Sequence, residues 1–160
     1  MKTLIVLLTA IGVVGCDGYS PPSNDVLMEI DKFHAAFNAS DIDAIYASGS
    51  AAFRCSIELQ DLYARLTGAK STFGHFESSE LIGGGSRWIL GSSASEAVFS
   101  STFEQGAVTE RFYFVREGGK YRLDRLMLMQ SHGEPKSDDG TVFTSEQSGF
   151  VVPAVKRACD

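Results

Sequence analysis

The chain has 160 residues, of which 44% are hydrophobic and 21% charged, a composition typical of a globular domain and not of a disordered segment. Its 20 acidic and 14 basic residues give a formal net charge of −6, and no basic run is longer than Lys156-Arg157. Because phosphate binding needs a basic face, the composition argues against a nucleic-acid partner and predicts little attraction to anionic headgroups.

The amino terminus has the pattern of a secretory signal peptide. Lys2 precedes an apolar stretch over residues 4–14, interrupted only by Thr9 and Gly12. A helix of eleven residues is too short to cross a hydrocarbon core about 30 Å thick, so a stable transmembrane span is not expected. We therefore interpret residues 1–15 as a leader that is removed from the mature protein.

The apolar stretch ends in the residues Val13-Val14-Gly15-Cys16, which resemble the lipobox of bacterial lipoproteins. The resemblance implies that the Cys16 thiol carries a diacylglycerol, that the leader is cut before Cys16, and that the new amino group is acylated. One acyl chain holds a protein only marginally at a bilayer, whereas two or three hold it firmly. The alternative is an ordinary secretory leader with Cys16 as a bystander.

Residues 16–24 are interpreted as a lipidated tether that leads to the folded domain. Asp17 resembles the inner-membrane retention signal of enterobacterial lipoproteins, which points to the periplasmic face of the inner membrane over the outer membrane. Pro21-Pro22 keeps this segment extended and delays the first helix. We assign residues 25–130 to one α+β domain and residues 131–160 to a partly docked or flexible tail.

If Cys16 carries lipid, Cys55 and Cys159 remain as an even pair in an oxidising compartment. A disulfide between them would close a loop of about a hundred residues, for which the chain-entropy model gives about 4–5 kcal/mol. The alternative is a buried Cys55 and a terminal thiol at Cys159. Cys55 has no His or carboxylate pattern around it that would activate a nucleophile.

Three short helices are predicted at the start of the domain. The first has an apolar stripe at helical spacing, formed by Val26, Ile30, Phe33 and Phe37. The second is predicted to begin with a capping box of Ser40 and Asp43 and to be loosened by Gly49. The third is predicted from Ser56 to a cap at Gly68. Residues expected to face inward from the second and third helices are Ile42, Ile45, Tyr46, Phe53, Leu59, Leu62, Tyr63 and Leu66.

Strands are predicted after Gly68, over residues 72–82, 87–90, 97–103, 109–116 and 121–129. The three glycines at 83–85 suit a bend or a bulge. Phe112 and Phe114 are expected on one face, and Tyr113 and Val115 on the other, so this sheet must be covered on both faces or curl. Residues 142–155 are predicted to dock as a short strand or as an irregular segment.

Helices followed by a curled antiparallel sheet form an α+β pattern. The sequence resembles the nuclear transport factor 2-like, or cystatin-like, superfamily and its small bacterial envelope proteins. The segments that carry the resemblance are "YARLTG" at 63–68, "SEAVFSSTFEQGAVTERFYFVREGGKYRL" at 95–123 and the early helix pair. The resemblance implies a cone in which helices fold against the sheet. That fold serves isomerases, dehydratases and binding modules, so it does not imply a reaction.

Relatives of the ketosteroid isomerase kind place ionisable groups in the cone, and here the candidates are His34, Tyr46, Tyr63, Glu110 and Asp124. We assign none of them as catalytic. His34 is expected at the core boundary, the two tyrosines are expected to pack with their hydroxyls at the rim, and Glu110 and Asp124 are expected to form cross-strand charge pairs on a solvated face.

His34, His75 and His132 show no metal-ligand spacing, and the three glycines at 83–85 lack the lysine of a phosphate loop, so no metal or cofactor is predicted. The sequence predicts a non-catalytic module that binds an envelope protein or a small apolar ligand. The alternative is a small-molecule isomerase or dehydratase. Two converging ionisable groups in an apolar pocket would favour the enzyme, and a cone filled by Phe and Leu would favour the module.

Overall fold

The computed structural model describes residues 20–89, 92–130 and 149–152, and in these residues four helices are followed by an antiparallel sheet. The predicted α+β class is confirmed in this form. Within the same residues, no helix is long and apolar enough to span a membrane.

The helices are α1 (Asn24–Ala39), α2 (Ile42–Ser48), α3 (Ala51–Ser56) and α4 (Leu59–Phe73). The α1 stripe is confirmed, since Val26, Ile30, Phe33 and Phe37 are all buried. The predicted capping box at Ser40 is wrong. Ser40 instead ends α1 with a left-handed backbone, and the Asp41 carboxylate caps α2 by accepting the Ala44 N–H at 3.0 Å.

The chain breaks between α2 and α3 at Gly49, where the sequence predicted a single loosened helix. A Cβ at Gly49 would lie 2.3 Å from the Phe53 ring, so glycine permits the close approach of this ring. Ser50 is fully buried and caps α3 by accepting the Phe53 N–H at 2.9 Å. Two short helices therefore replace one because a serine cap begins the second.

The last helix is longer than predicted. Gly68 does not end it, because α4 continues to Phe73 and ends at Gly74, which has a positive φ of 79°. The buried residues Leu62, Leu66, Ala69 and Phe73 keep helical spacing through the glycine. Residues 72–73 are therefore helical and not the start of a strand.

The sheet has the order β1-β2-β3-β4-β5, and every neighbouring pair is antiparallel. Its strands are β1 (Phe76–Ile89), β2 (Ser92–Phe103), β3 (Gly106–Glu117), β4 (Lys120–Gln130) and β5 (Gly149–Val152). The end of β1, the start of β2 and the β3–β4 turn therefore lie at one end of the sheet, which we name the hairpin end. The β2–β3 turn lies at the opposite end.

The three glycines predicted to bend the chain lie inside β1 and do not divide it into two strands. The register with β2 shifts between Leu81 and Gly83, which is the predicted irregularity. Gly84 has φ +115°, and a Cβ there would lie 2.3 Å from the Glu96 carbonyl oxygen. Only glycine fits this position without displacing the neighbouring strand.

The core lies between the helices and one face of the sheet. The strand faces are confirmed, since Ala97, Phe99, Ser101 and Phe103 are buried together, as are Phe112 and Phe114 on β3. Tyr113 and Val115 alternate with these phenylalanines and lie half-buried on the other face. Within the predicted tail, residues 149–152 form β5 against β4, and residues 131–148 and 153–160 lie outside the described part of the chain.

Candidate functional site

The helices and the sheet bring together two of the five candidate residues, His34 of α1 and Glu110 of β3. The His34 Nε2 atom lies 2.8 Å from Glu110 Oε2. The residues are 4% and 0% exposed, respectively, so both lie inside the core. A buried carboxylate next to an imidazole is an arrangement that can exchange a proton.

The surroundings of this pair are polar at one point and aromatic elsewhere. Ser101 of β2 donates its hydroxyl hydrogen to the same Glu110 oxygen at 2.5 Å. The His34 ring stacks on Phe76 with centroids 3.6 Å apart, and it meets Phe33 and Phe112 edge to face. Glu110 Oε1 is buried, and no described residue forms a hydrogen bond with it. We name His34, Ser101 and Glu110 the buried polar cluster.

Two predictions fail at this cluster. Glu110 was expected on a solvated face and is instead directed inward, because it has the same strand parity as buried Phe112 and Phe114. His34 was expected at the core boundary and is buried, because it is adjacent to Phe33 and covered by Phe76. Ser101 was not predicted as a candidate. Its position on the apolar face of β2 was the sequence feature that could have indicated a buried hydroxyl.

The other three candidates lie elsewhere and do not join the pair. Tyr46 packs against the core and donates its hydroxyl hydrogen to the Arg54 carbonyl at 3.1 Å, as the rim prediction requires. Tyr63 is 38% exposed, so its inward prediction is wrong. Asp124 was expected in a cross-strand charge pair, and its carboxylate instead accepts the Ser50 hydroxyl at 2.9 Å.

Tyr63 is on α4 and reaches across to α2. Its hydroxyl donates to the Asp43 carboxylate at 2.7 Å. This hydrogen bond raises the pKa of Tyr63 above its ordinary value, and the negative charges of Asp43 and Asp41 add to the effect. The contact connects two surface helices and lies apart from the buried polar cluster.

A cavity of about 290 Å³ lies against the sheet where all four long strands contribute to its walls. Its side chains are a mixture of aromatic, charged and small groups. The lining residues are Gly85, Ala94, Ser95, Glu96, Tyr113, Phe114, Val115, Asp124 and Arg125. We name this space the sheet cavity.

Charged groups are fixed around the Tyr113 side chain of the sheet cavity. The Arg125 guanidinium lies over the Tyr113 ring, 5.4 Å from its centroid. Arg111 donates to the Tyr113 hydroxyl at 3.4 Å and pairs with the Glu96 carboxylate at 3.2 Å. The Tyr113 bond raises the pKa of Arg111, and Glu96 raises it further, although burial acts in the opposite direction. Tyr113 was predicted on the sheet face opposite Phe112 and Phe114, but the sheet cavity was not predicted.

Of the three cysteines, Cys55 is the one that lies among the described residues, and it is disulfide-bonded. A disulfide excludes Cys55 as a nucleophile in this state. The other two cysteines of the chain, Cys16 and Cys159, lie outside the described residues, and so does the lipobox. The pairing of Cys55 with Cys159 therefore stays a prediction.

No group of three or more His, Cys, Asp or Glu side chains in the described part of the chain is arranged to hold a metal ion. Comparison with known proteins adds no identity, because no protein-family model and no curated protein matches the chain.

Proposed function

We propose that this protein is a bacterial envelope lipoprotein, held by acylated Cys16 at a membrane surface that faces the periplasm, and that its folded body is a non-catalytic binding module. The lipobox residues Val13-Val14-Gly15-Cys16 support the anchor. Asp17 makes the inner membrane the first location to test.

The observation that favours a binding module is the closure of the buried polar cluster. His34 and Glu110 contact each other, and phenylalanine rings cover the imidazole. General acid-base catalysis needs a substrate atom within hydrogen-bond reach of the acting group. A pair that is at most 4% exposed leaves a substrate no approach without a rearrangement of the aromatic core. The buried polar cluster therefore supports a role in specifying the fold.

We further propose that this arrangement of helices on a curled sheet is the nuclear transport factor 2-like fold. Support comes from the order of elements and from the helices that cover one face of the sheet. This fold assignment carries no reaction with it.

The sheet cavity is the proposed binding site for an envelope partner protein. Its volume of about 290 Å³ lies at the lower end of the range for small-molecule sites, which suits one or two side chains of a partner. Tyr113 with Arg125 offers an aromatic surface and a cation, and Glu96 and Asp124 offer acceptors. Tyrosine and arginine are the residue types enriched at the centres of interfaces.

The anchor is tested by intact mass and detergent partitioning of the protein from cells. We expect the mature chain to begin at Cys16 with added acyl mass and to enter the detergent phase, and Cys16→Ala to abolish both properties. Partitioning into the aqueous phase by both proteins would refute the anchor.

The binding site is tested by placing a photoreactive phenylalanine analogue at Tyr113 in cells. The same replacement at Tyr63, an exposed tyrosine on α4, is the matched control. We expect a discrete cross-linked product from position 113 only, and its loss when Arg125→Ala is added. Equal products from both positions would contradict the assignment of the sheet cavity.

The second candidate function is an isomerase or dehydratase that uses His34 and Glu110 as acid and base. The observation that favours it is the unpartnered Glu110 Oε1 in an apolar interior. It requires that His34 be reachable in the native protein. Diethyl pyrocarbonate modification followed by peptide mapping tests this. We expect His34 to stay unmodified while exposed His75 reacts, and rapid reaction of His34 would favour the enzyme.

A further inference from the structure

We infer that the hairpin end of the sheet docks on the anionic lipid surface to which the protein is anchored. The inference rests on the proposed lipid anchor. It adds an orientation: the end of β1, the start of β2 and the β3–β4 turn face the bilayer, and the β2–β3 turn faces away from it.

The position of the tether fixes which end is near the membrane. The Ser86 N–H donates to the Ser20 carbonyl at 2.9 Å, so the start of the described chain is joined to β1 three residues before that strand ends. Cys16 precedes Ser20 by four residues. Four residues span at most about 14 Å, whatever path they take, so an acyl group on Cys16 keeps the hairpin end close to the bilayer.

The hairpin end is basic although the chain is acidic. Residues 86–93 and 116–122 contain four basic residues, which are Arg87, Arg116, Lys120 and Arg122, and one acidic residue, Glu117. The Glu117 carboxylate accepts the Ala51 N–H at 3.2 and 3.1 Å. Arg116 and Lys120 are exposed. This local excess of three positive charges contrasts with the net −6 of the whole chain, and Asp17 of the tether and Asp25 in the first turn of α1 together offset only part of it.

The opposite end has the reverse charge. Glu77, Glu80 and Glu104 lie at or near the β2–β3 turn and are exposed. Glu77 is nine strand residues from Ser86, a separation of about 30 Å. The Debye length at physiological salt is about 8 Å, so these carboxylates barely affect a lipid surface that the hairpin end touches. The net charge of the whole chain predicted little attraction to headgroups. That net charge sums the two ends of the sheet, which are far apart and carry opposite charge.

The residue types at the end of β1 suit the membrane interface. Trp88 and Ile89 occupy the last two positions of β1, paired in register with Ser93 and Ser92 of β2. Tryptophan favours the headgroup level of bilayers, and basic residues near anionic lipid contribute about fivefold each to binding. Trp88 is the only tryptophan in the chain, so its fluorescence reports this end alone.

The test uses the mature chain on vesicles of phosphatidylcholine with or without phosphatidylglycerol, both containing brominated lipid as a quencher. One sample is the protein purified from membranes with its own lipid. A second carries Cys16→Ala and a histidine tag before residue 16, which tethers it to nickel-chelating lipid. The tagged sample needs no acylation, so it separates failure of the anchor from failure of the orientation.

For the lipidated and amino-terminally tagged chains, we expect Trp88 emission to shift to shorter wavelength and to be quenched on vesicles with phosphatidylglycerol. Lys120→Glu should weaken this docking about 25-fold, since it changes two units of charge. The matched charge reversal Lys32→Glu, at an exposed position of α1, should change the strength of docking less than about threefold. Circular dichroism checks that both variants fold. Unchanged emission on the anionic vesicles, or equal effects of Lys120→Glu and Lys32→Glu, would overturn the orientation.

Discussion

His34 Nε2 lies 2.8 Å from Glu110 Oε2, although 76 positions separate the two residues in sequence. Breaking one side of such a pair leaves an uncompensated polar or charged group in the core, which costs about 3–5 kcal/mol. We therefore expect Glu110→Ala to lower the free energy of unfolding by that amount, measured by urea denaturation followed by circular dichroism.

The double variant His34→Phe/Glu110→Leu provides the control for this pair. Replacing both partners by apolar side chains leaves neither one unpaired, so it should be markedly more stable than Glu110→Ala. If the double variant loses the sum of the losses of His34→Phe and Glu110→Leu measured singly, the residues are not coupled and the cluster does not act as a unit.

Gly84 and Gly83 form a matched pair for backbone strain. Gly84→Ala should destabilise the protein by about 2 kcal/mol or more, because φ is +115° and the new Cβ would meet the Glu96 carbonyl. Gly83→Ala should cost little, because its Cβ would lie 3.8 Å from the nearest Val98 atom. Thermal denaturation of the two variants measures this difference. Equal losses would show that strand β1 does not approach β2 at Gly84 as described.

Tyr63 should ionise at higher pH than an ordinary tyrosine, because its hydroxyl donates to Asp43. The sign of the linkage follows: the folded state holds this proton more tightly, so the stabilising effect is present below the ordinary tyrosine pKa near 10.0 and is lost as pH rises through the raised value. Ultraviolet titration of the protein minus that of Tyr63→Phe isolates this group.

Asp43→Ala should lower the Tyr63 pKa towards its ordinary value. Asp61→Ala is the control, since Asp61 is an exposed acid two residues from Tyr63 on the same helix and does not form the hydrogen bond. A larger effect from Asp61→Ala would contradict the assigned contact.

Peptide mapping without reductant should join Cys55 to Cys159. Cys55 is disulfide-bonded, and an acylated Cys16 cannot be its partner. Cys159→Ser should then lower the free energy of unfolding by about 4–5 kcal/mol, from the loop that the bond closes. A peptide that joins Cys55 to Cys16 would remove both this pairing and the lipid anchor.

The sequence was most informative where a single period repeats. The α1 stripe and the alternation of Phe112, Tyr113 and Phe114 were predicted correctly, because burial on one face imposes the period directly. Helix ends were predicted less well. Ser40, Asp41 and Ser50 are all good caps by residue type, and tertiary contacts decide which of them is used.

The candidate site was predicted residue by residue but not as a group. His34 and Glu110 were both predicted as candidate residues. Nothing in the sequence indicates that α1 and β3 bring these two side chains into contact. Glu110 was predicted to be solvent-exposed because charged residues are almost never fully buried unless they are paired. Its parity with Phe112 was the stronger signal. The sheet cavity requires four strands in register, which local patterns do not encode.

Strand β1 is the last strand on one side of the sheet, and besides β2 its backbone is contacted by Ser20, which bridges to Ser86, and by the Asn38 amide, which bonds Phe76. In the proposed lipid-anchored state, molecules that share one bilayer diffuse in two dimensions, where neighbouring edges meet often, and exposed Leu81 and Ile82 would favour edge-to-edge pairing. Glu77 and Glu80 are exposed carboxylates on this edge strand. Like charges on two such edges repel, so these carboxylates would oppose strand-to-strand aggregation of neighbouring copies.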